Sequence, residues 1–363
     1  IHVFAQEIAH QWPSVSYHRI SMPLRRPRWI NQLWYATATW WATRRGFDLV
    51  HSHENTWHGA VQTVHVLPVW HNFFAGREGL KKWLRWLKAA FSPRLWTYLG
   101  LESLRFRLPV PVSDGARARR IVVTSDSVRR VMVNTFPRSA SALSVITPGV
   151  DLPVLPTDEV HRQTARQTAR RQLGVPMQAP CVLLVGNDFG KKGLPSLLKA
   201  LCLLPAEVVL LAVGSAQRIP EFQSQAAALG LADRVIFKGA LNDVTVAYRA
   251  ADVLAHPTLE DTFAMVVLEA MAHGLPVMVS NAGYCGIASL LSDGENAVLL
   301  QDPRDERAMA QVLSTLLFQS IYREALGNSA RTFAQAHQWA HKAAQQEQLY
   351  LELVRPIRLK QPA

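Results

Sequence analysis

Short apolar runs of strand length alternate along this chain with stretches whose apolar residues recur at helical spacing. In the first part the pattern predicts strands at Ile1–Ala5, Leu49–His53, Val61–Val66 and Ile121–Thr124. A further strand, Ser144–Pro153, ends in a Pro-Gly turn, and helices are predicted over the Trp-rich segment Trp29–Arg45 and over Ser125–Asn134. Strands alternating with helices argue for a parallel, doubly wound sheet. Thr157–Val175 is polar and basic, with the repeat QTARQTAR, and this composition shift marks a domain boundary near residue 150. A second series then begins. Strands at Cys181–Gly186, Val208–Gly214, Val235–Gly239, Asp252–Ala255 and Pro276–Ser280 alternate with helices at Leu194–Leu203, Gln217–Leu229, Asp243–Ala251 and Phe263–His273. A glycine-rich turn follows at Asn281–Gly286, and helices run from Asp305 to Leu353. The fold class is therefore α/β, with residues 1–150 and 151–335 as two Rossmann-like domains.

Gly79–Phe91 is the most amphipathic stretch. At about 100° per residue, Leu80, Trp83, Leu84, Leu87 and Phe91 share one face, Lys81, Lys82, Arg85 and Lys88 the opposite arc, and Trp86 the boundary. That composition suits a helix lying on an anionic membrane surface; a surface helix with its apolar face on the core is the other reading. Arg94, Trp96, Arg105 and Arg107 follow, with only Glu78 and Glu102 as nearby acids, which favours the membrane.

Length and composition narrow the class. A chain of 363 residues with 49% hydrophobic and 18% charged content can bury the cores of two domains. Its net charge of +12 implies an anionic partner. No zinc-finger, RNA-recognition or helix-turn-helix pattern points that charge at nucleic acid. Cys181, Cys202 and Cys285 form neither a metal spacing nor a disulfide framework, which suits a reducing cytoplasm. His51, His53, His58, His65 and His71 cluster without zinc spacing and are placed at the carboxyl ends of strands, where open α/β sheets bind ligands.

The candidate chemistry lies in the second domain. The turn NDFGKKG, Asn187–Gly193, sets Lys191 and Lys192 between a strand and a helix, where two ammonium groups would neutralise a phosphate. In DVLAHPTLEDTFAMVVLEAMAHGLP a strand, a polar turn and a helix N-terminus follow one another, with Asp261 in the turn and Glu269 inside the helix. If the residues between them were helical, the two acids would stand roughly 12 Å apart along the axis, too far for a close catalytic pair. They could hold two ends of one long ligand. Equally, Asp261 or Thr262 could be an ordinary N-cap and Glu269 the partner of an Arg; pattern alone leaves both open.

These residues carry a resemblance. GNDFGKKG and the stretch VIFKGALNDVTVAYRAADVLAHPTLEDTFAMVVLEAMAHGLPV resemble retaining GT-B glycosyltransferases of family four, and the lysine turn resembles the lipopolysaccharide core glucosyltransferases. FDLVHSH (Phe47–His53), ITPGVD (Ile146–Asp151) and the closing helix with Trp339 and Tyr350 extend it over the chain. The resemblance implies two Rossmann-like domains with the active site in the cleft between them, and a last helix, 336–355, crossing back to the acceptor-binding first domain. It implies a UDP- or GDP-linked sugar as donor, no other cofactor and no metal. Transfer would go, with retention, to a lipid-linked or lipopolysaccharide-type acceptor on the inner face of the plasma membrane. Asp261, His65 and Lys192 take the catalytic positions. Lys191, Lys192, Thr262, Phe263, Ala264 and Glu269 take the nucleotide-sugar positions, with Lys191 and Lys192 on the phosphates, Glu269 on the ribose and Asp261 on the sugar. Lys81, Lys82, Trp83, Arg85, Trp86 and Lys88 would face the membrane. This sequence departs from the pattern with Asp261 for the usual Glu, Ala264 for the usual Gly and Asn187 for a frequent Arg. The family's first strand and glycine-rich loop are expected to be missing before Ile1. A nucleotide-sugar epimerase on the same fold and a non-catalytic membrane-bound scaffold are the two rival readings.

Overall fold

A computed structural model describes residues 1–24, 26–74, 79–106, 119–156, 158–214 and 216–354. Glu78, Arg107, Thr157, the basic exit segment 357–363 and the side chains of Lys81, Lys82 and Lys88 lie outside the described residues. The chain divides into two compact units, Ile1–Ile146 with Gln345 onward, and Thr147–Ala344.

In the first unit β1 (His2–Ala5) pairs in parallel with β2 (Ser16–Arg19) as a two-stranded sheet of its own. Helix α1 (Arg28–Thr43) leads to β3 (His51–Ser52) and β4 (Val61–Val64). Three helices follow, α2 (Val69–Phe74), α3 (Gly79–Ala90) and α4 (Pro93–Phe106). Then come β5 (Arg120–Val123), α5 (Asp126–Thr135) capped by Ser125, and β6 (Leu143–Val145). Strands β3, β4, β5 and β6 lie side by side in that order, all parallel. The single sheet expected here is therefore split. Strand β3 has only two residues of ladder, because the N–H groups of Ala60 and Val61 both turn to the Val50 carbonyl. The strand expected at Ser144–Pro153 is the shorter β6. Polar β2 and half-polar α2 and α4 were not predicted; α4 buries Glu102 and Arg105 beside Leu101 and Phe106, which obscures its periodicity.

The second unit opens with α6 (Glu159–Leu173), so most of the segment read as a polar boundary is a helix. Its inward side carries Arg170, only 1% exposed, beside the buried Ala169 and Leu173. There follow β7 (Cys181–Val185), α7 (Leu194–Cys202), β8 (Val209–Val213), α8 (Ile219–Ala228) and β9 (Val235–Lys238). The chain continues through α9 (Thr245–Ala250), β10 (Val253–His256), α10 (Met265–Ala272), β11 (Val277–Ser280) and the unpredicted β12 (Val298–Leu300). Helices α11 (Glu306–Phe318), α12 (Ser320–Ala336) and α13 (Trp339–Val354) close it. The sheet order is β12-β11-β10-β7-β8-β9, every pair parallel. Alternate residues feed two cores. Leu183, Leu211 and Leu254 face α9, α10 and α12, whereas Val182, Leu184 and Leu210 face α7, α8 and α11. Burial on both faces is why these strands read as unbroken apolar runs. The order is that of a doubly wound nucleotide-binding sheet, which reverses direction between β7 and β10.

Candidate functional site

Ligands of open α/β sheets collect at the carboxyl ends of the strands where the order reverses. In the second unit those ends carry the lysine turn after β7 and the acid-bearing turn after β10. Both sequence-predicted motifs therefore meet at the switch point. Their backbones are stitched together: Leu259 donates its N–H to the Lys191 carbonyl at 2.8 Å, and the Thr258 hydroxyl donates to the same oxygen at 3.1 Å. Glycine makes the approach possible, since a Cβ on Gly193 (φ +80°) would stand 2.0 Å from the Pro257 carbonyl oxygen. A third turn holds the acid from the other side, Asp261 donating its N–H to the Tyr284 carbonyl and accepting from Gly286.

The centre is a contact between the Lys192 ammonium and the Asp261 carboxylate, both half-buried. Asp261 Oδ2 also meets His256 Nε2 at 3.2 Å, while Oδ1 accepts the N–H groups of Phe263 (3.2 Å) and Ala264 (2.9 Å). Burial pushes this carboxyl up, but His256 and Lys192 outweigh it and hold Asp261 well below the usual carboxylate range. His256 is fully buried, and burial lowers its imidazole pKa despite the opposing pull of Asp261. Lys191 is exposed, its ammonium 3.5 Å from Glu260.

Helix α10 starts at Met265, and Ala264 before it has φ +71°, so residues 261–264 are not helical and the expected axial spacing of Asp261 and Glu269 does not apply. Neither Asp261 nor Thr262 is the N-cap of α10, which is Ala264 with no side-chain cap; Asp261 instead accepts from the N–H groups of the turn ahead of the helix and holds Lys192. Glu269 accepts a hydrogen bond from the buried Tyr248 hydroxyl at 2.7 Å rather than an Arg, and burial and this carboxylate together push the phenol pKa up. Phe263 and Ala264 are buried, Thr262 half-buried. Sequence reasoning missed His256 and Tyr248; a polar residue ending the apolar run VLAH was the available signal for the first.

His65 belongs to the first unit, just beyond β4. Its Nε2 stands 3.0 Å from His53 Nδ1, the rings of His53 and His65 stack, and His51 lies tilted against His53. His51 bridges the Tyr350 hydroxyl (2.5 Å) and the Thr63 hydroxyl (2.7 Å). Burial, then the neighbouring rings and Arg105, bring its pKa down to about 3, and burial and Arg105 lower those of His53 and His65 too. His53 and His65 stand just past the carboxyl ends of β3 and β4, as expected from the sequence, whereas His51 opens β3, His58 precedes β4 and His71 lies on α2. Among the described residues no group of three His, Cys, Asp or Glu is arranged to hold a metal ion.

On α3 the packed side is Trp86 and Ala89, Trp86 lying against Trp70 and Phe74. Leu80, Trp83, Leu84, Leu87 and Phe91 are exposed, so the alternative in which that face packs on the core does not hold. Arg85 is half-buried over the Phe73 ring. No helix among the described residues is long and apolar enough to cross a membrane.

Residues 165–333 match the family model described as Glycosyl transferases group 1. A D-inositol 3-phosphate glycosyltransferase of Xylanimonas cellulosilytica is 32% identical over 69% of this chain and 63% of its own length. The lipopolysaccharide glucosyltransferase WaaG of Escherichia coli is 33% identical over 47% of this chain and 46% of its own. The chain thus spans less than two thirds of these relatives. A crystal structure of WaaG, described as a glycosyltransferase involved in lipopolysaccharide biosynthesis, superposes with a TM-score of 0.75, covering 98% of this chain and 91% of that one at 22% identity.

Proposed function

We propose, for a chain whose residues 165–333 belong to the group 1 glycosyltransferases and whose fold is GT-B, that it moves a sugar from a nucleoside diphosphate sugar to a lipid-linked or lipopolysaccharide-type acceptor, with retention at the anomeric carbon. The observation that carries the reading is the Lys192–Asp261 contact at the switch point, beside the open end of α10. The ammonium and carboxylate neutralise each other. When donor binds, Lys192 turns to the diphosphate, and the Asp261 oxygen it leaves accepts a sugar hydroxyl. Lys191 and the first N–H groups of α10 share the phosphate charge. Glu269, already oriented by Tyr248, takes the ribose hydroxyls.

As the bond from the anomeric carbon to the diphosphate breaks, negative charge grows on the leaving group, and cations fixed beside it stabilise that state more than the ground state. The acceptor hydroxyl oxygen attacks on the face the diphosphate leaves, which retains the configuration, and its proton passes to the departing diphosphate oxygen. The two lysines supply positive charge that a metal ion provides elsewhere, so transfer is expected to survive EDTA. The exposed apolar face of α3 would hold the enzyme at the membrane that carries its acceptor.

Lys192→Ala is the decisive variant. It should lower donor affinity and cut kcat/KM at least a hundredfold while leaving the thermal midpoint near that of the parent. Undiminished transfer by this variant, measured with a labelled donor panel, would refute the site. Label appearing as an isomerised donor without acceptor would indicate an epimerase, and no donor binding by calorimetry would indicate the scaffold. His65→Ala tests the other expected catalytic side chain; an unchanged kcat would remove it from the reaction.

A further inference from the structure

Helix α1 turns its tryptophans outward. At about 100° per residue, Leu33, Trp34, Thr37, Trp40, Trp41 and Arg44 fall on one arc, and all of them are exposed. The opposite arc holds Ala36 and Thr39, which are buried. A surface helix of a globular protein ordinarily shows its polar face to water. Here the fully buried residues are small, Tyr35 and Gln32 reach inward through hydrogen bonds to the Phe4 and Asn55 carbonyls, and the outward face is aromatic, with Trp41 62% exposed and the Arg44 guanidinium 3.5 Å from its ring centroid. Contiguous exposed apolar surface of this kind marks a binding face.

Charge identifies the occupant. No Asp or Glu occurs between Glu7 and Asp48, whereas Arg19, Arg25, Arg26, Arg28, Arg44 and Arg45 all fall in that interval. Arginines stand at both ends of the helix, and tryptophan favours the layer between headgroups and acyl chains. A basic, acid-free segment around an aromatic face is complementary to anionic lipid. Helix α4 packs against both α1 and α3, so the two exposed faces belong to one region of the first unit.

We propose that α1 is a lipid-contacting element in its own right, its Trp40 and Trp41 entering the interface of an anionic membrane with Arg44 and Arg45 at the headgroups. The proposal rests on the reading that the acceptor is lipid-borne, and it adds a second anchor that the sequence motifs did not single out. Attachment through two amphipathic elements is stronger than through either, because once one is held the other binds at high effective concentration.

The test is co-sedimentation of the full chain with vesicles of phosphatidylcholine and phosphatidylglycerol (3:1), and of phosphatidylcholine alone. Trp40→Ser/Trp41→Ser should lower partitioning onto the anionic vesicles at least tenfold, with donor affinity and thermal midpoint unchanged. Arg44→Glu/Arg45→Glu, which leaves the aromatic face in place, should lower binding to anionic vesicles and leave that to neutral ones. Trp83→Ser/Leu84→Ser reports on α3 separately. If the α3 variant loses binding and both α1 variants keep it, the α1 proposal fails and the α3 reading stands. The reverse result removes α3 and retains α1. Parental partitioning by the α1 variants together with a change of oligomeric state would assign the face to a second copy of this chain and overturn the proposal.

Discussion

Asp261 illustrates how one residue can serve two contacts at once. Its carboxylate caps the turn ahead of α10 and also holds Lys192, because the two turns that carry them leave adjacent central strands. Residue types and the strand-turn-helix pattern were legible, since both depend on local sequence. The contact was not, because it depends on which strands pair. His256 was legible only as a polar residue ending the apolar run VLAH, because its contact with Asp261 also depends on how the chain folds back. Ala264 gives a prediction of its own. It is the one non-glycine residue with positive φ among the described residues, a conformation that costs an L-residue roughly 1–2 kcal/mol. Ala264→Gly relieves that cost and loses roughly 0.4–1 kcal/mol to the entropy of the unfolded chain. The expected outcome is a small net stabilisation, read as a higher urea midpoint at unchanged m; a lower midpoint would mean the alanine methyl packs more favourably than its backbone is strained. The histidines set the acid limb. Because the folded state holds His51 near a pKa of about 3, by burial first, against an ordinary 6.5, the unfolded chain binds more protons between those values. Stability is then fully present above pH 6.5 and falls as the pH drops towards 3. His51→Gln should flatten that decline, and parallel pH profiles for parent and variant would contradict the assignment.

At the scale of elements, the longest one the pattern missed, α6, is fastened by charge as well as by the apolar contacts of Ala169 and Leu173. Helix α6 carries QTARQTAR, which has no apolar stripe, yet it docks through Arg170, which donates to the carbonyls of Ala250, Pro176, Met177 and Ala179 and to Asp252 at 3.0 Å. Asp252 in turn accepts from Arg166 at 2.6 Å and from the Cys181 N–H at 2.9 Å, joining α6 to the starts of β7 and β10. Hydrophobic periodicity cannot detect such a helix, whereas the strands beside it, apolar on both faces, were plain. Removing one partner of a buried pair leaves an uncompensated charge, at a cost of about 3–5 kcal/mol. Asp252→Ala should therefore lower the urea midpoint sharply although Asp252 stands at the amino-terminal edge of the sheet, opposite the proposed site. A loss under 1 kcal/mol would mean water replaces the carboxylate. Helix α3 shows the converse, where the pattern was read correctly and only the structure shows that its apolar face stays exposed.

For the whole molecule, the proposals divide the anionic chemistry between the two units: a diphosphate in the second, met by fixed ammonium groups and a helix end, and a lipid surface on the first, met by arginine and tryptophan. The division has a consequence in salt. Exposed charges are screened over about 10 Å at 0.1 M ionic strength and about 3 Å at 1 M, whereas half-buried Lys192 works at contact distance and is screened less. Raising sodium chloride from 0.1 to 1 M should detach most of the chain from anionic vesicles, leaving only the part that tryptophan burial sustains. Over the same range the affinity for donor nucleotide should fall much less. The two quantities are measured on one sample by sedimentation and by calorimetry. Equal salt sensitivity would mean that the donor is held by surface charge as well, and the closed Lys192–Asp261 contact would then not be the centre of the site.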